Sequence, residues 1–359
     1  VTVCDGPRRL APQVARAWRG PGTVQFGADP ARAVVVSGLD AGDRRVLELL
    51  ERGISGAALE SDARRQGTDV DRPRALLRLL ERHGLLVPAG RGGDPGHARL
   101  RAEERCRGAA GSRPARSVGV TGRTGLTAAI AAGFAAAGAG SVAASPVGIV
   151  SALDVLPGGA AADEVGETLR AAAEAAVQRA APATRLTGRA APDLGVLVGR
   201  YAHDAAEAAT WLASDVAHLA VLVRECDVVV GPLVLPGRGP CLHCLDLARR
   251  DRDPQWPGVL AQLLRQRDDS AAGTVAALGQ VAAGLAVLVG VAALDGRGPE
   301  VAGLTATLSL PYAVPAWRRW PAHPACGCAR LEDRLRIADP DDPGDPGGEP
   351  ATAAVTIAG

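Results

Sequence analysis

The stretch Ser117–Phe134, SVGVTGRTGLTAAIAAGF, decides the fold. Ser117 to Val120 reads as a short apolar strand, GRTGL as a turn, and Thr127 to Ala137 as an alanine-rich helix, the opening of a nucleotide-type βαβ unit. A dinucleotide or ATP fingerprint asks for glycine at the first, third and sixth positions of such a turn. The second glycine lets backbone approach the phosphates, and the third lets the helix pack on the strand. Here the run is Gly122, Arg123, Thr124, Gly125, Leu126, Thr127, so two of the three positions hold threonine. The acidic residue expected at the end of the next strand, which would grip the ribose hydroxyls, is Ser145. Gly122 and Gly125 therefore read as the remains of a nucleotide loop: the path of the chain is kept and its chemistry is lost.

Downstream, strands at Ser141–Ala144, Leu194–Val198, Leu219–Val223 and Asp227–Val230 alternate with helices at Glu164–Arg179 and Ala205–Ala213. Alternation of this kind predicts an α/β domain with a mostly parallel sheet. Thr274 to Leu294 is long and apolar enough to span a membrane, but it is rich in Ala and Gly and contains Gln280, and it reads as a helix buried against the sheet. Upstream, Thr23–Phe26 and Ala33–Val36 read as strands with a turn at Gly27 and Pro30. Three helical stretches follow, Asp40–Leu50, Ser55–Gln66 and Asp69–His83, the last ended by Gly84. These are the parts of a winged-helix unit. The expected organisation is a small winged-helix-like domain over 1–88, a Gly-, Pro- and Arg-rich linker over 89–116 in which Ala98–Cys106 has helical character, the large domain over 117–337, and an acidic, disordered tail over 338–359.

Composition narrows the function. The chain has 359 residues, 47% hydrophobic and 22% charged, with a formal net charge of +1, so no overall field collects nucleic acid or an anionic membrane. Lys, Met and Asn are absent, which fits a GC-rich genome, and Val1 fits a GTG start read literally. VTVCDGPRRLAPQVARAWRG lacks the apolar centre of a signal peptide, so a cytoplasmic location is expected.

In a reducing compartment, seven cysteines point to metal spacing and not to disulfides. Cys241-Leu-His-Cys244 and Cys326-Gly-Cys328 are two knuckles whose thiolates can close one tetrahedral site of the kind Zn²⁺ prefers, with no open position for catalysis. His243 and His323 stand in reserve as ligands. Cys226 reads as a small core residue, and Cys4 and Cys106 have no base at a recognisable spacing, so none is a candidate nucleophile.

The run GPLVLPGRGPCLHCLDLARRDRDPQWP, the closing HPACGC and the order of elements over Ser117–Arg330 resemble the ThiF-like proteins, within the ubiquitin-activating-type superfamily, found with thiazole/oxazole-modified microcin gene clusters. That group is often described as binding the leader of a precursor peptide. The resemblance implies a Rossmann-like ThiF-type domain with a structural zinc, preceded by a leader-recognition element. It also implies a scaffold that presents a ribosomal precursor to a partner cyclodehydratase, and a homodimer. Adenylating relatives use a glycine loop, an acidic ribose ligand, an Arg/Lys/Asn set and a carboxylate for Mg²⁺. In this chain Leu169 stands about where the lysine would, Asp204 is a candidate for the metal carboxylate, and ATP is not expected as a cofactor.

Three functional readings follow. In the first, an extended leader adds to the strand at Val34, Val35 and Val36 and packs on Leu76 and Leu80, although those leucines equally suit the core of the small domain. In the second, the protein is an ATP-dependent adenylyltransferase acting on a peptide or sulfur-carrier C-terminus, with Arg123 or Arg170 in place of the lysine. In the third, Arg72, Arg74, Arg78 and Arg82 face DNA, although Asp71 and Glu81 interrupt them.

Overall fold

The computed structural model describes residues 6–89 and 113–328, apart from 13, 30, 32, 68, 188–190, 204 and 267–274. Its contacts divide the chain into two compact units, Val1–Ala110 and Gly111–Gly359. Cys4, Cys106, the helical stretch at 98–106, Asp204 and the acidic tail lie outside the described residues.

The small unit runs β1 (Arg8–Leu10), β2 (Arg16–Gly20), β3 (Thr23–Phe26), β4 (Val34–Ser37), α1 (Ala41–Arg52), α2 (Gly56–Arg65), α3 (Asp71–Arg82) and β5 (Leu86–Pro88). Strands β2, β3 and β4 form an antiparallel sheet in that order, and β1 pairs with β5. Helices α1 and α2 begin where side chains cap them. Asp40 accepts from the Asp43 amide at 2.8 Å while Asp43 accepts from the Asp40 amide at 3.0 Å, and the Ser55 hydroxyl accepts from Ala58 at 3.2 Å. Past α3, Gly84 takes a φ of +61°, which stops the helix at little steric cost. Val24, Phe26 and Val36 from the sheet meet Leu47, Leu50, Leu59, Leu76 and Leu80 from the helices in one core. Leu76 and Leu80 are 7% and 0% exposed, so they are core residues and present nothing to a docked peptide, contrary to their assignment as peptide contacts.

The basic face expected on α3 is already neutralised in part. Arg72 pairs with Asp43 at 2.7 Å and Asp40 at 3.0 Å, and Arg74 pairs with Glu60 at 2.7 Å. On α2, hydrogen bonds from Arg45 and then Arg65 hold the Asp62 carboxyl down at about 2. With Arg72 and Arg74 spent on neighbouring carboxylates, the helix offers less to a phosphate backbone.

The large unit holds a seven-stranded sheet in the order β12-β11-β10-β9-β8-β6-β7. Its strands are β6 (Ser117–Gly122), β7 (Ser141–Pro146), β8 (Leu194–Arg200), β9 (His218–Val223), β10 (Asp227–Val234), β11 (Leu304–Ser309) and β12 (Pro315–Arg319). The helices are α4 (Leu126–Ala136), α5 (Leu169–Ala180), α6 (Ala205–Ala213), α7 (Leu242–Arg250), α8 (Trp256–Gln266) and α9 (Ala276–Ala292). Pairings among β7, β6, β8 and β9 are parallel, and those of β9 through β12 are antiparallel. The expected mostly parallel sheet is therefore parallel in one half only. The reason is local: β9 and β10 are joined by a tight turn in which the Arg224 amide bonds the Asp227 carbonyl at 2.9 Å, and so short a link permits only a hairpin.

Helix α4 is alanine-rich because it is buried among α5, α9 and the sheet. At its contact with α9 a Cβ on Gly133 would stand 2.7 Å from Val287, and one on Gly290 would stand 2.4 Å from Phe134. Glycine at both places lets the helices approach. Helix α9 buries Leu278, Ala282, Ala286 and Val289 and leaves Ala277, Val281, Gly284 and Leu288 exposed. It is thus the sheet-packed helix expected, with one apolar stripe left exposed among the described residues. Helix α5 begins at Leu169 behind a Thr168 cap, later than Glu164, whose carboxylate instead bonds Arg179 at 2.6 Å and the Ala161 amide at 2.7 Å.

The stretch read as linker ends in a packed turn, Arg113–Ala115. Arg113 is fully buried, forms a bidentate pair with Asp295 at 2.6 Å and 2.6 Å, and also donates to the Ala137 carbonyl at 3.1 Å. A buried guanidinium held on two sides in this way anchors the start of the unit to the end of α9.

Candidate functional site

The first candidate site is the cleft at the carboxyl ends of the parallel strands. The first strand of the fold, β6, lies between β8 and β7, so the direction of winding reverses there, and open α/β sheets bind ligands outside such a point. Gly122, Arg123, Ser145, Val147, Arg200, His203 and Glu207 are among the residues lining it. Its volume is about 140 Å³, below the roughly 300–1,000 Å³ typical of small-molecule sites. Gly122 is hemmed in by a cleft wall of its own chain: a Cβ there would stand 2.6 Å from the Thr127 hydroxyl and 2.7 Å from the Val198 carbonyl. Thr124 and Thr127 are 2% and 0% exposed, so the branched side chains fill the space between turn and helix. Leu169 sits in an apolar cluster with Val150, Ala160 and Ala172, and Arg170 is exposed at the start of α5. Burial, and after it the nearby Arg249 and His218, push His203 down to about 4, so its imidazole is neutral near pH 7.

The second site is the cysteine cluster. Cys241 caps α7, Cys244 lies in its first turn, and Cys326 and Cys328 come from the turn after β12. The four sulfurs lie within 4.8 Å of one another, with Cys241–Cys326 at 3.6 Å, Cys241–Cys244 at 3.9 Å and Cys244–Cys328 at 3.3 Å. These separations exceed a disulfide's bond of about 2.05 Å. They match the spacing of roughly 3.8 Å that four ligands about 2.3 Å from one tetrahedral ion would show. Burial pushes the Cys241 thiol up to about 11 and raises that of Cys328 too, so a cation is what would let those two sulfurs carry negative charge. His323 turns to Asp251 at 2.7 Å and accepts from the Ala325 amide at 3.1 Å, which fixes the second knuckle. The four cysteines chosen from spacing are the ones brought together, and together they could hold a metal ion.

The third site is an edge. Strand β4 pairs with β3 on one side only, with Phe26 opposite Val34, Gln25 opposite Val35 and Val24 opposite Val36. Val36 points into the core, Val34 is half-buried, and Val35 is 43% exposed. Among the described residues no strand covers the far side of β4.

Sequence reasoning missed a fourth feature, a cleft of about 490 Å³ over the antiparallel half of the sheet. Arg224, Arg249, Arg252 and Arg318 line it together with Trp256 and Trp320. Arg318 stacks on Trp320 at 3.7 Å and Arg249 on Trp256 at 5.1 Å. Burial and the neighbouring Arg252 and Arg249 lower the Arg318 pKa, a sign of crowded positive charge. The RRDRDPQW run carried part of this signal, but Arg318 arrives from β12, far along the chain.

No family model and no curated protein matches the sequence. Solved structures do match in shape. MccB of E. coli with ATP aligns with 90% of this chain and 99% of its own at a TM-score of 0.60 and 14% identity. The microcin C7 biosynthetic enzyme MccB in complex with N-formylated MccA aligns over 90% of this chain and 99% of its own, at a TM-score of 0.62 and 14% identity. The heterocyclase TruD aligns over 92% of this chain at a TM-score of 0.59 and 17% identity, and the match spans 44% of TruD. At these identities the likeness establishes the fold alone, which this chain shares with MccB.

Proposed function

We propose that this protein is a non-adenylating ThiF-like scaffold that binds the leader of a ribosomally made precursor peptide and presents it to a cyclodehydratase in azole-peptide biosynthesis, in the cytoplasm. The observation that carries this reading is the free edge of β4. A leader laid along it gains backbone hydrogen bonds from the strand and a side-chain contact at Val35, the mode by which extended peptides join sheet edges. The small unit is then the winged-helix-like recognition element. The cysteine cluster takes Zn²⁺, by the preference of four thiolates in tetrahedral array, and its role is structural. A second copy covers the stripe of Ala277, Val281, Gly284 and Leu288 on α9, giving a homodimer. The neighbours in shape support the setting, since MccB and TruD are described as a microcin biosynthetic enzyme and a heterocyclase.

Against adenylation stand the small cleft, the threonines at 124 and 127, and Ser145 where a carboxylate would grip ribose. Each preorganised donor missing from such a site costs on the order of 3 kcal/mol of transition-state stabilisation. The test is fluorescence anisotropy with a labelled leader and the full chain. Binding is expected, with about a tenfold loss on Val35→Glu and a similar loss when proline is placed within the bound segment of the peptide. A leader affinity indifferent to both changes would move the site away from β4.

A further inference from the structure

Gly125 was expected to belong to a nucleotide loop, and its surroundings give it a different role. A Cβ at this position would stand 2.1 Å from the Asp154 carbonyl oxygen, so glycine is required here by the chain's own backbone. The Asp154 side chain completes the contact. One carboxylate oxygen accepts from the Gly125 amide at 2.7 Å, and the other accepts from the Ser151 amide at 3.0 Å and the Ser151 hydroxyl at 2.7 Å. Asp154 is 7% exposed and lies at the end of the single turn Ala152–Asp154. The bond spans 29 positions of sequence, so it is a tertiary contact and not a local turn.

Amides at the start of a helix attract anions, because their N–H groups lack intrahelical partners and the helix dipole is positive there. In nucleotide-binding βαβ units the anion is a phosphate. We infer that Asp154 is an internal anion that takes the place of a phosphate at the N-terminus of α4, keeping this end of the helix filled and closed to nucleotide. Three contacts on one buried carboxylate make it a charge-assisted hub. The turn that carries it also packs Leu156 into the main core, so the segment covers the loop as well as bonding it. Arg123 and the buried Arg200 line the cleft, whereas Gly125 is not among its lining residues. The two halves of the old motif have thus separated: Gly122 still lines the cleft, and Gly125 serves the fold.

The inference does not depend on leader binding, which is read separately on the same samples. The experiment compares equilibrium unfolding of the full chain with that of Asp154→Ala and Asp154→Asn, each in chloride, formate, inorganic phosphate and Mg-ATP at matched ionic strength. Asp154→Ala is expected to raise the unfolding constant about tenfold to thirtyfold, as loss of a charged hydrogen-bond acceptor does. Formate or phosphate should recover several-fold of that loss by entering the vacated position. Asp154→Asn, which keeps one acceptor and loses the charge, should fall between, and it carries the comparison if the alanine variant does not fold. The parent chain, with Arg252 and Arg318 of the arginine cleft changed to alanine in all samples, should respond to none of these anions beyond the chloride control.

Equal effects of formate and phosphate on parent and variants would overturn the inference, as would an unfolding constant unchanged by Asp154→Ala. Stabilisation of the parent by phosphate or Mg-ATP that persists when Arg252 and Arg318 of the arginine cleft are changed to alanine would overturn it too, because the loop would then be open. A parent chain that passes these tests and fails to bind leader would sink the proposed function and leave Asp154 in its role.

Discussion

The cysteine cluster and the Gly122–Thr127 turn are both places where sequence advertises a chemistry, and the two behave differently once side chains are placed. At the cysteines, spacing and donors agree: four sulfurs converge with separations that suit one ion. At the turn the backbone path survives while its donors have been reassigned, Gly125 to Asp154 and the threonines to packing. A strand-turn-helix path is held by its core, here by alanines and the glycine contacts between α4 and α9, and that core has no need of a ligand. A binding site is held by a few polar atoms, so it can vanish without disturbing the fold.

The contrast can be broken most forcefully at the cysteines. Replacing Cys241 and Cys244 by serine should abolish stoichiometric zinc, since two of four ligands are lost, and should lower the melting temperature by more than about 10 °C, because metal binding on the order of 10 kcal/mol is coupled to folding. Elemental analysis and calorimetry on the same preparation check both. Unchanged metal content would put the ion elsewhere.

Next in size is Arg113. Arg113→Ala should cost about 3–5 kcal/mol by leaving the Asp295 charge buried and unpaired, whereas Arg113→Met with Asp295→Leu should come close to the parent. Denaturant titration of the set measures it. A small loss in the single variant would mean that the turn at Arg113–Ala115 is not an anchor.

The cleft's electrostatics give a pH test. His203 is held down at about 4 by burial first, so the unfolded chain binds a proton near 6.5 that the folded chain refuses until about 4. Its contribution to stability is complete above pH 6.5 and fades as pH falls toward 4, by about 1–3 kcal/mol. His203→Gln should flatten the profile in that window. A profile identical to that of the parent would assign the pH response to other groups.

The smallest effect tests whether the turn is one step from function. Thr124→Gly with Thr127→Gly restores the glycine pattern, yet it should produce no measurable Mg-ATP affinity and should lower stability by about 1–2 kcal/mol, through added chain entropy and lost packing. A gain of nucleotide binding in that variant would show that the threonines alone had closed the site.

Much of this was legible in the sequence, and for identifiable reasons. Helix α2 is marked by Ser55 as its cap, α1 and α3 by apolar residues at helical spacing, and the cysteines by knuckle spacing. What escaped was long-range. Strand β2 reads RAWRG, whose arginines mask a sheet edge, and β1 and β5 are three-residue segments that become strands only by pairing across the small unit. The arginine cleft and the Asp154 contact join segments far apart in the chain, where no spacing rule reaches. Leu76 and Leu80 were ambiguous because an apolar position on an amphipathic helix looks alike whether it fills a core or receives a peptide.

The central claim, leader binding without adenylation, is tested most directly by calorimetry on the full chain, titrating the precursor leader first and Mg-ATP second. The account expects saturable leader binding, no heat from Mg-ATP below the millimolar range with or without peptide, and no carboxyl-dependent exchange of pyrophosphate into ATP. Micromolar Mg-ATP affinity, or any such exchange with a peptide or sulfur carrier, would contradict it and return the protein to the enzymes.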